Sequence, residues 1–73
     1  MPKLSKEALQ EYADENRRLA DFRRAEAALH ENAAKEAAAG ILDETSEFLR
    51  LNDAVVAAGK RLPQRFRHYA KGR

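Results

Sequence analysis

Seventy-three residues with 44% hydrophobic and 36% charged side chains, a net charge of +2 and no cysteine fit one small domain spanning 1–73. They exclude a disulfide staple and a thiolate metal site, and no apolar run approaches the roughly 20 residues that cross a bilayer as a helix. A chain this short buries proportionally little surface, so a lone core is marginal unless chains associate.

Three glycines, two prolines and many alanines predict an all-α fold. The first residues, Met1-Pro2-Lys3-Leu4-Ser5-Lys6, hold no apolar signal core. With the absence of cysteine, which suits a reducing compartment, this gives a cytoplasmic expectation.

Ser5 is placed to cap a helix, with Glu7 in the first turn where the helix dipole favours an acid. Lys6 to Ala39 contains neither glycine nor proline, so one long helix is expected over about 5–39, close to 50 Å long at 1.5 Å per residue. Leu4, Ala8, Tyr12, Leu19, Phe22, Leu29, Ala33 and Ala37 form its apolar stripe, interrupted by Glu15 and Glu26. Opposite charges lie at helical spacing elsewhere: Asp14 reaches Arg17 or Arg18, Asp21 reaches Arg17 or Arg24, and Glu31 reaches Lys35. The arginine pairs at 17/18 and 23/24 therefore read as a solvated face.

Gly40 should end this helix in a left-handed conformation. Asp43 or Thr45 should cap a second helix, expected over about 43–59. The cleanest pattern of the chain starts here: Ile41, Thr45, Phe48, Asn52, Val55, Gly59, Leu62, Phe66 and Tyr69 alternate steps of four and three along one stripe. Pro63 removes a helical hydrogen bond to Gly59, so a kink is expected there, followed by a short third helix over about 63–70.

Folding back at Gly40 brings together residues whose numbers add to about 81. Phe22 then packs on Gly59 and Phe48 on Ala33, large against small. Leu62 faces Leu19, and Tyr69 faces Tyr12. The expected fold is an antiparallel αα-hairpin. Leu9, Leu42, Leu49, Leu51 and Val56 lie beside or off the stripe, which points to assembly as a homo-oligomeric bundle of four-helix type or to docking on another protein.

Charge is uneven. Residues 60–73 hold six basic residues and no acid, while residues 1–59 hold eight basic and twelve acidic ones. The hairpin would lay the basic tail along Glu7, Glu11, Asp14 and Glu15. Arg61, Arg65, Arg67, Lys71 and Arg73, interleaved with Phe66, His68 and Tyr69, are also the residues that would contact nucleic acid.

Glu26 and His30, four apart, form the one pair suggestive of acid/base or metal chemistry, against the plainer reading of a local pair at a bundle edge. No third ligand, HExxH, nucleophile motif or phosphate-cradling glycine loop accompanies them. No enzyme, metal, cofactor, small-molecule substrate or membrane partner is expected. The leading expectation is a non-catalytic helical interaction or regulatory module whose partner is a second copy or a larger protein. The alternative is a regulator that binds nucleic acid through its basic segment.

Overall fold

Ser5 turns its hydroxyl back to accept a hydrogen bond from the Ala8 amide at 3.0 Å, satisfying one of the free donors that open the long helix. The computed structural model describes residues 5–71. Leu4, first on the expected stripe, and Arg73, last of the expected nucleic-acid contacts, lie outside them. Helix α1 runs Lys6–Ala38. It ends in a Schellman arrangement: Gly40, at φ +81°, donates to Ala37 O (3.0 Å), and Ile41 donates to Glu36 O (2.8 Å).

Helix α2 spans Ser46–Lys60, and its cap is Thr45 rather than Asp43. The Thr45 hydroxyl accepts from the Phe48 amide at 3.0 Å and donates to Glu36 Oε2 at 2.5 Å. One side chain thus starts α2 and ties it to the end of α1. A 3₁₀ helix over Gln64–Ala70 follows Pro63, whose ψ of 158° breaks the helical path.

The two helices pack antiparallel in the expected register. A Cβ placed on Gly59 would stand 3.4 Å from Phe22 Cε1, and Thr45 bonds Glu36, both pairs adding to 81. Phe22, Leu29, Val55 and Leu62 are buried, and Leu19, Ala25, Phe48, Leu51, Ala58, Phe66 and Ala70 pack around them. The result is a rod of 55 × 17 × 16 Å.

The third segment is the expected short helix, of 3₁₀ type, and its course corrects one expectation: apart from Arg65 at Tyr12 and Glu15, it does not continue along the first turns of α1. Instead it doubles back on α2, so that the same added Cβ on Gly59 would lie 3.1 Å from Ala70 Cβ. Residues 59 and 70 would stand roughly 16 Å apart along a continuous helix. The extended Pro63 frees the chain to turn, and the bare surface of Gly59 admits Ala70. Tyr69 consequently meets Arg23, not Tyr12: the Arg23 guanidinium carbon lies 4.4 Å from the centre of the Tyr69 ring.

Candidate functional site

The return of the tail leaves the first turns of α1 without a facing helix. Leu9 and Tyr12 there are each 53% exposed. Arg65 is the tail residue that reaches this stretch. Its Nε stands 3.0 Å from Glu15 Oε1, without the angle of a hydrogen bond, and its guanidinium lies 5.8 Å from the Tyr12 ring centre. Among the described residues, Glu7 and Glu11 form no ion pair with the tail. Glu15 and Glu26, the two interruptions of the apolar stripe, are both largely covered, Glu15 beside Arg65 and Glu26 beside Arg23 at 3.2 Å.

On the outer faces, Asp14 pairs with Arg17 at 2.6 Å and Asp21 with Arg24. Glu31 and Lys35 make no such contact among the described residues. Glu47 and Arg50 are bonded one turn apart on α2, and that hydrogen bond holds the Glu47 carboxyl below its usual range and raises the guanidinium. Both groups are fully exposed, so the pair matters little for stability.

Register gathers the cations. Lys60 and Arg61 come level with Asp21 and Ala20 of α1, and the doubled-back tail keeps Arg65, Arg67 and Lys71 on the same stretch of rod as Arg17, Arg18, Arg23 and Arg24. Asp14, Glu15, Asp21 and Glu26 are the acids of that stretch, set against Arg17, Arg65, Arg24 and Arg23. Reading the arginine pairs and the basic tail as separate features missed this belt, because only the fold brings them level.

The expected interface residues differ in exposure. Leu42 is 89% exposed, while Leu9 and Leu49 are exposed and Leu51 and Val56 half-buried, Leu51 against the core. A groove of about 220 Å³ opens at the hairpin end, with Ala33, Ala37, Ile41, Leu42 and Phe48 as its apolar lining and Glu36, Asp43 and Glu44 as its acids. Phe48 and Ala33, the second expected packing pair, both line it. Near the other end, Val55, Val56, Gly59 and Ala70 floor a second depression beneath Lys60 and Arg67.

His30 is exposed, and Glu26 lies beside Arg23. Among the described residues no group of three or more His, Asp or Glu side chains is placed to hold a metal ion. No helix among them is long and apolar enough to cross a membrane. The chain matches no family model, no curated protein sequence and no solved structure.

Proposed function

We infer that this chain is a non-catalytic helical interaction or regulatory module that works as a homo-oligomer or as the small partner of a larger protein. The observation that carries this reading is the imbalance of its apolar side chains. Among the described residues Phe22, Leu29, Val55 and Leu62 are buried, whereas Leu9, Tyr12, Ile41, Leu42, Leu49 and Tyr69 are exposed. A two-helix layer covers one face of each helix, and a second layer is the ordinary way to cover more. Association into a four-helix-type bundle follows from that logic, and the absence of cysteine suits a cytoplasmic setting.

Sedimentation equilibrium tests it. The chain should be at least dimeric at micromolar concentration, with a melting temperature that falls on dilution. A concentration-independent monomer that also captures no protein when used as bait defeats the reading.

The cationic belt favours a second reading, a nucleic-acid-binding regulator. Replacing Arg61, Arg65, Arg67, Lys71 and Arg73 by alanine should then abolish a nanomolar, steeply salt-dependent affinity for duplex or single strands. Affinity confined to the micromolar range at physiological salt leaves the interaction module as the function.

A further inference from the structure

The two flanks of the hairpin are unlike. One carries the 3₁₀ helix, fixed by Ala70 against Gly59 and Tyr69 against Arg23. Arg23, His30 and Ala37 recur every seven residues along α1, and Val56 and Leu49 do so on α2, so each set stays on that flank. Beyond the 3₁₀ helix this flank carries exposed His30 among Ala37, Leu49 and Val56, and it leads into the groove lined by Ala37, Leu42 and Phe48. A ridge stands at one end of the flank and a groove at the other.

Their chemistries are opposite. The ridge carries Tyr69, 38% exposed beside Arg23, with Lys71 exposed beyond it and Arg67 on the side toward α2, next to Lys60 and Ala70. The groove presents an apolar lining edged by Glu36, Asp43 and Glu44, with no cation in its wall. The ridge cannot fill its own groove, because the two lie roughly 20 Å apart along the rod. A second copy turned end for end about a two-fold axis can do so twice, once at each end, since a two-fold interface is self-complementary.

We propose that the chain forms an antiparallel two-fold dimer through this flank, with Tyr69 of each copy seated in the hairpin-end groove of the other, Arg67 and Lys71 against Asp43 and Glu44, and Leu49 covered between them. The inference rests on the interaction-module reading and names its partner as the chain itself. The overlapping flank, roughly 40 Å of a rod 17 Å wide across its Cα atoms, projects about 680 Å², the same scale as the roughly 600–1,000 Å² of accessible surface that each partner of a stable interface buries. Leu9 falls outside the overlap, on the overhanging start of α1.

A charge-swap pair tests the geometry by sedimentation velocity, with circular dichroism confirming that each variant folds. R67E with K71E sets acid against acid, and D43K with E44K sets base against base. Each variant alone should dissociate, with self-association weakened roughly ten-fold or more. Mixing the two should restore the dimer, because in the mixed pair both contacts again join opposite charges. L49D should give a monomer and L9D should not. A wild-type dimer that neither charge variant weakens overturns this docking and leaves self-association standing. A wild-type monomer overturns both the dimer and self-association, leaving a larger protein as the only partner of the module. Nanomolar nucleic-acid binding lost with R67E/K71E but kept with D43K/E44K would assign the ridge to a polyanion instead.

Discussion

Gly59 and Gly40 are needed for different reasons, and substitution separates them. At Gly59 the constraint is space: a Cβ would meet Ala70 Cβ at 3.1 Å and Phe22 Cε1 at 3.4 Å. Gly59→Leu should lower stability by roughly 1–3 kcal/mol through overpacking, against a helix-propensity gain of somewhat under 1 kcal/mol. At Gly40 there is room, with no atom within 4 Å, but φ is +81°. Gly40→Ala should therefore cost about 1–2 kcal/mol of backbone strain alone, and Gly40→Asn should recover part of it because asparagine tolerates the left-handed region. Urea denaturation of the three variants measures all of this. A Gly59→Leu protein more stable than wild type would mean that Phe22 and Ala70 do not pack there.

At the scale of the helices, Thr45 joins two jobs, capping α2 and bonding Glu36 at the end of α1. Thr45→Ala loses both and should destabilise by about 1–2 kcal/mol, whereas Thr45→Ser keeps both bonds and most of the stability. Thermal unfolding at one protein concentration makes the comparison. The caps, the Gly40 turn and the register of α1 on α2 were legible in the sequence because each depends on local chemistry or on a period running through both helices. The course of the tail was not. Pro63 announces a break without a direction, and the direction is set by Ala70 fitting the notch at Gly59. Carrying the pairing of residues that add to 81 past Pro63 put Tyr69 opposite Tyr12, yet its neighbour is Arg23, which that pairing does not place there. Of the interface candidates, exposure at Leu42, Leu49 and Leu9 was legible. The groove was not, since it needs the turn residues Ile41, Asp43 and Glu44 folded against Ala33 and Ala37.

For the whole molecule, the charge layout decides what salt should do. An acidic strip holding the tail would make the fold itself salt-sensitive. The tail instead touches that strip at Glu15, through a half-exposed Arg65, a contact worth under about 1 kcal/mol. Reversing Glu11, which lies beyond the first turn of α1, to lysine should therefore move stability by no more than about 0.5 kcal/mol at any salt concentration. The salt-sensitive property should be association. Charges facing each other between copies are screened over roughly 10 Å at 0.1 M salt and 3 Å at 1 M, whereas apolar contact at the groove and Leu49 is not. The dimer should accordingly weaken several-fold between 0.05 and 0.5 M sodium chloride and then level off, because the unscreened apolar part persists. Nucleic-acid binding by the belt would instead fall along a straight log–log line whose slope follows the number of phosphates neutralised. Sedimentation equilibrium across that salt range, beside a fluorescence titration of an oligonucleotide, sets the two curves next to each other. An association constant unchanged by salt would mean that the ridge and the groove do not meet through their charges.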